Sequence, residues 1–223
     1  MNADINELLG GLRSEDATER RYAAEDLGGL NDPAAVQALV KTLEDPVVGV
    51  REAAVESLIA IGGREVCEKV IPLLDSEDAS LRNYALEILE DLGADAIESL
   101  VDLCDSPSSD IRKFAMDVLG KIGELCGVNA IGVITSRLDD ENVNVGGAAA
   151  EALGRIGDPA SIPALAGHLG GPPWLQCNVL NAIAQIGGEE ARGVISRIDP
   201  EQLAPEARYY YEMVERALGM KES

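Results

Sequence analysis

Aromatic side chains are scarce in this 223-residue chain. They make up 3% of it, with one Trp, one Phe and five Tyr, and there is a single His. Chemistry that needs clustered imidazoles or stacked rings therefore starts without its residues. Basic side chains are the next shortage: 18 Lys and Arg face 40 Asp and Glu, a net charge of −22. That balance argues against nucleic acid as a partner, because phosphate contacts need clustered cations, and against docking on an anionic membrane. No apolar run reaches the roughly 18–20 residues that cross a bilayer. Residues 1–7 carry no basic segment followed by an apolar stretch, so no signal peptide is expected. Cys67, Cys104, Cys126 and Cys177 contain no pair at two-residue spacing. This argues against a zinc site or a disulfide framework and for reduced thiols that act as small core residues. The expectation is a cytoplasmic protein that is not an enzyme, with no catalytic set, no metal and no cofactor.

What the chain does have is 46% apolar residues, too many for a disordered acidic chain, and they are arranged in a repeat. The clearest copy is Val50-Arg51-Glu52-Ala53-Ala54-Val55-Glu56-Ser57-Leu58, closing at Ile61-Gly62. Its Arg recurs as Arg20, Arg51, Arg82, Arg112 and Arg208, and its closing position reads Asn31, Gly62, Gly93, Gly123, Gly157, Gly187 and Gly219. A period of this length marks stacked supersecondary units. Each unit reads as two helices. Val36, Leu39, Val40 and Leu43 share a face of the first, and Val50, Ala54, Leu58 and Ile61 share a face of the second. Gly stops the second helix, and Asp32-Pro33 or Asp158-Pro159 restarts the next. The predicted fold is all-α: a right-handed α-solenoid, a superhelix of about seven antiparallel helix pairs. It forms one domain over residues 1–223, with repeats at about 3–31, 32–62, 63–93, 94–123, 124–157, 158–187 and 188–219. The last repeat is read as a C-terminal cap, its Tyr209, Tyr210 and Tyr211 covering the core edge.

The Val-Arg-x-x-Ala step, the Glu-x-Leu step and the closing Ile-Gly resemble HEAT-like repeats of the short bacterial type, the kind also found in phycobilin lyase subunits. The resemblance covers about Ile5 to Gly219. It implies a concave surface lined by second helices, and a repeated Arg paired with an acid of a neighbouring turn, for which Asp45 is a candidate. Two functional relatives of this architecture fit poorly. A deoxyhypusine-hydroxylase-like iron site would need several His-Glu pairs, and His168 is followed by Leu169. A HEAT-like DNA glycosylase would need a basic groove.

Departures from the repeat are where function is expected. Residues 1–111 hold 25 acids and 8 bases, net −17, whereas 112–223 hold 15 and 10, net −5. One second-helix column reads Glu25, Glu56, Glu87, Asp117, Glu151, Asn181 and Met213, with Glu52 and Glu90 at neighbouring positions. Such a column suits a helix surface, and it could also steer a protein partner with a basic segment. Residues 159–188 carry no charge at all and hold the only His (His168) and Trp (Trp174). Gln176 stands there in the Arg column, and Gly146 does so in repeat five. Trp174, Cys177, Leu180 and Asn181 form the expected neutral patch, and Trp174 is read either as a plug between repeats five and six or as a partner anchor. The expected function is a protein-interaction scaffold that binds its partner in a concave, acidic groove. The alternative is a lyase-like or chaperone-like accessory subunit that binds a small molecule or chromophore protein near repeats five and six. A ligand-sized pocket beside Trp174 would favour the alternative and a smooth groove the scaffold. The same neutral surface could serve a homodimer through repeat six.

Overall fold

The structure, a computed structural model, describes residues 5–30 and 32–220. The closing position predicted at Asn31 lies outside them. Fourteen α-helices follow one another, with no strand among the described residues. They are α1 (Ile5–Gly11), α2 (Ala17–Leu27), α3 (Pro33–Thr42), α4 (Val48–Ile61), α5 (Gly63–Val70), α6 (Ala79–Asp91), α7 (Ile97–Leu103), α8 (Ser109–Ile122), α9 (Val128–Ser136), α10 (Val143–Ile156), α11 (Ile162–Gly167), α12 (Pro173–Ile186), α13 (Gly188–Ile195) and α14 (Pro205–Ala217). Odd-numbered helices are the first members of seven pairs and even-numbered ones the second. The fold class is all-α, an α-solenoid. The chain divides into two compact units that part between Ser99 and Leu100.

Local chemistry sets the helix ends. The side chains of Asp16, Asp32, Asp78, Ser108 and Asn142 accept a backbone N–H of the first turn of α2, α3, α6, α8 and α10. The closing glycines 62, 93, 123, 157, 187 and 219 all have φ between +53° and +75°, a region costly for any side chain with a Cβ. The first helices are less regular than the repeat suggests. Pro72 lacks an amide donor, and α5 gives way to a 3-10 turn over Ile71–Asp75. Another 3-10 turn, Gly93–Ala96, precedes α7, and Pro159–Ser161 precedes α11.

Second helices meet their neighbours through small residues. In the first unit a Cβ on Gly28 would stand 2.9 Å from the Ser57 Cα, and the Ser57 hydroxyl donates to the Ala24 carbonyl at 2.8 Å. In the second unit the same role falls to Gly120 against Ala152 and Gly154 against Ala182.

The repeated Arg ties turns together. Arg20 grips Asp45 through Nε (2.7 Å) and Nη2 (3.0 Å), and Arg112 grips Asp140 at 2.8 and 2.7 Å. Each Arg also donates to a carbonyl of its own turn, Ser14 for Arg20 and Ser106 for Arg112. Asp45 is thus an Arg partner, as the resemblance implies, and the Arg it takes belongs to the preceding repeat. Gln176 fills the same post in repeat six. Its Nε2 donates to the Gly171 carbonyl at 2.8 Å, and its Oε1 accepts the Ala204 N–H at 2.9 Å.

The cysteines are free thiols, three of them buried. Burial, aided by the Asp95 charge, pushes Cys67 up to about 11, and burial pushes Cys104 up to about 12. The thiolate is the reactive form, so iodoacetamide at pH 7.5 should leave both unmodified in the native chain and alkylate both in urea, read by peptide mass spectrometry. Modification of either in the folded protein would show that the packing around it opens.

Candidate functional site

The Gly146-Gly147 pair that breaks the repeat sits in the first half of α10, where α10 faces α12. A Cβ at 146 would lie 3.5 Å from Trp174 Cη2, and one at 147 would lie 3.8 Å from Cζ3. The benzo edge of the indole therefore rests on backbone that only glycine leaves bare. Trp174 is half-buried there, so it packs against the preceding repeat and still borders open space. That space is an open groove of about 530 Å³. Trp174, Val143, Gly147 and Ala148 give it an apolar lining, and Asn144, Asn178, Lys113, Asp117 and Glu151 give it polar groups. Lys113 is bound to Asp117 at 2.6 Å, and Glu151 stands 3.7 Å from Arg155. The groove therefore offers a flat indole, amide donors and acceptors, and a nearly balanced set of charges.

Three of the site residues expected from sequence, Asp117, Glu151 and Trp174, come together at this groove. Cys177 is half-buried on α12 and Asn181 is exposed one turn on. Burial raises the Cys177 thiol, as does the Glu206 charge. Leu180 does not belong with them: it is 0% exposed. One residue is 100° of helix rotation, and the step back from Asn181 turns Leu180 into the layer between helices. Of its equivalents Ala24, Val55, Met116 and Ala150 are buried too, Leu86 is half-buried and Glu212 is exposed. Glu25, Glu52, Glu56 and Glu87 are exposed on α2, α4 and α6 of the first unit, and Glu90 is half-buried.

Two residues of the last repeat stand out on the surface, and Tyr209, expected to cover the core edge, is one of them. Tyr209 is 66% and Met213 48% exposed on α14, in the columns that hold Glu52 and Glu56 elsewhere. Met213 ends the column that begins with Glu25 and Glu56. The tyrosine that closes the core is Tyr211, buried, with its hydroxyl donating to the Ile195 carbonyl at 3.3 Å. Tyr209 instead makes an edge contact with Tyr210 at 6.1 Å. His168 is held at the end of α11, with Nδ1 2.8 Å from the Ala164 carbonyl and Nε2 3.1 Å from Asp139. Among the described residues no group of three His, Cys, Asp or Glu could hold a metal ion, and no helix is long and apolar enough to cross a membrane.

Comparison with known proteins adds the following. A stretch of 77 residues is 39% identical to the alpha subunit of phycocyanobilin lyase of Picosynechococcus sp., covering 31% of this chain and 29% of that protein. A stretch of 74 residues is 40% identical to the bilin biosynthesis protein PecE of Nostoc sp., covering 33% of this chain and 29% of that protein. The chain thus matches less than a third of the length of either relative. Among solved structures, the complex of CpcE and CpcF of phycocyanin lyase from Nostoc sp. aligns over 97% of this chain and 94% of that one, at 23% identity and a TM-score of 0.40. The profile of HEAT repeats matches residues 5–87 and 97–175, most of the chain. With seven helix pairs, glycine closures and Arg-gripped turns behind it, the chain belongs to the HEAT-repeat family.

Proposed function

We propose that this chain is a non-catalytic repeat scaffold that holds a partner protein on the exposed faces of its second helices, with the groove at Trp174 as the anchor. The observation that carries this reading is the set of carboxylates exposed on the second helices, Glu25, Glu52, Glu56 and Glu87, with the half-buried Trp174 over its glycine floor as an apolar anchor. Buried aromatic anchors with polar surrounds are the usual energetic centre of protein interfaces. The exposed carboxylates of Glu25, Glu52, Glu56 and Glu87 support a partner with a basic segment. The test is affinity capture from the native source, then titration of the partner identified. Trp174→Ala should weaken binding by about tenfold or more, the effect of losing an anchor worth roughly 1.4 kcal/mol. Reversal of Glu56 and Glu87 to Lys should slow association. Binding that ignores both sets of changes defeats the proposal. Light scattering of the same variants tells whether the partner is a second copy meeting through repeat six.

A second reading is that the chain is an accessory in bilin attachment. It is favoured by a cavity of ligand size beside Trp174 and by the local likeness to phycocyanobilin lyase and PecE. Against it, two carboxylates and one Lys line the groove, and a bilin brings two propionates. Adding phycocyanobilin and following its visible absorption separates the readings. A saturable spectral change lost in Trp174→Ala favours the bilin, and an unaltered spectrum favours the scaffold.

A further inference from the structure

In the N-terminal unit a second cleft, of about 500 Å³, opens between α1 and α3, on the first helices and not the second. Leu9, Leu12, Ala34 and Ala38 give it an apolar lining, and Arg13 and Lys41 stand at it with Glu44 and Asp45. Both cations are exposed, and neither enters an ion pair among the described residues. Of the 8 bases that face 22 acids in residues 1–99, Arg51 and Arg82 donate to backbone carbonyls of their own turns, and Lys69 is exposed away from this cleft. Arg20 is spent on Asp45, Arg21 lies near Glu25, and Arg64 bridges Glu68 and Glu98. Asp45 is already neutralised by Arg20 through two hydrogen bonds. The cleft is left with two available cations and one available carboxylate, Glu44, over an apolar lining.

We infer that this cleft binds an anionic amphiphile, a small molecule with an aliphatic or aromatic body and a carboxylate or sulfonate head. The body would lie on Leu9, Leu12, Ala34 and Ala38, and the head would be held between Arg13 and Lys41. Cleft volume is in the range of small-molecule sites. The charge is opposite to that of the unit around it, which would repel such a ligand elsewhere on the surface. The inference is independent of the Trp174 groove, which lies in the other unit.

The full chain is titrated with 8-anilinonaphthalene-1-sulfonate, whose fluorescence rises on leaving water. One saturable site is expected, emptied by decanoate and not by decyltrimethylammonium, and weakened by added salt. Removing the cations with Arg13→Gln/Lys41→Gln should lower the affinity for the dye and decanoate about tenfold. Lys69→Gln, an exposed cation away from the cleft, should change nothing. Glu44→Gln should tighten binding, and this gain decides the matter should the double variant lose its helical circular dichroism. Displacement by the cationic amphiphile as readily as by decanoate, or affinity unchanged in the folded double variant and in Glu44→Gln, overturns the inference.

Discussion

Gly120→Leu is expected to destabilise the C-terminal unit by about 3 kcal/mol or more. Two effects oppose each other at this site. Leu is a better helix former than Gly by nearly 1 kcal/mol in a helix interior, and α8 runs unbroken through residue 120. The steric term is larger. A Cβ on residue 120 would stand 2.8 Å from the Ala152 Cα and 3.0 Å from its Cβ. The obstacle is backbone, so no rotamer change relieves it. α8 and α10 would have to part along their shared length, and close packing in that layer would be lost with them. Gly154→Leu should behave alike, since its Cβ would meet the Ala182 Cα at 2.9 Å. Gly49→Ala is the control: nothing lies within 4 Å of a Cβ there, and α4 should gain roughly 0.5–1 kcal/mol. Urea unfolding read by circular dichroism and by the fluorescence of the single Trp, which reports on the C-terminal unit, checks all three. A Gly120→Leu protein within 1 kcal/mol of the parent would mean that the second helices are not held by these glycines.

These contacts show which parts of the molecule are legible in the sequence. Helix pairs, glycine closures and Asp or Asn caps are visible because each depends on residues close in the chain. The Ala53-Ala54 step correctly signals tight packing of each second helix. What joins one second helix to the next is another column, Gly28, Gly120 and Gly154, each meeting a residue about one repeat later. That register is set in three dimensions and has no local signature. The same holds for Leu180, where an error of one residue exchanged surface for core. Charge polarity was legible but its boundary was not. Residues 100–110 add Asp102, Asp105 and Asp110 to the second unit, so the units carry 22 acids against 8 bases and 18 against 10. The groove at Trp174 was legible because it gathers exceptions to the repeat. The cleft at Arg13 and Lys41 was not, because its meaning lies in the ion pairs those residues fail to make.

Arg112→Ala is expected to cost about 3–5 kcal/mol at pH 7.5, the price of leaving one member of a buried ion pair alone. Side-chain exposure is 7% for Arg112 and 3% for Asp140, and their contact is bidentate. In the parent protein burial pushes the Asp140 carboxyl up. The Arg112 hydrogen bonds, the Asn142 N–H and the charges of Arg112 and Arg137 more than offset this and hold it below the usual carboxylate range. A carboxyl whose folded value lies below its unfolded one contributes stability that is complete above the unfolded value. That contribution is lost as pH falls through the folded value. Without Arg112 the largest remaining influence is burial, so Asp140 should take up a proton more readily and the folded variant should shed its uncompensated charge in acid. The deficit relative to the parent should therefore be greatest near neutrality and shrink as pH drops toward about 4, the ordinary carboxylate value. Arg112→Met with Asp140→Leu should recover much of the loss, since a packed apolar pair often equals a buried ion pair. Urea unfolding at pH 7.5 and pH 4 decides the point. A deficit equal at both pH values would assign it to the Ser106 and Pro107 carbonyls that Arg112 also binds, and the charge on Asp140 would have no part in it.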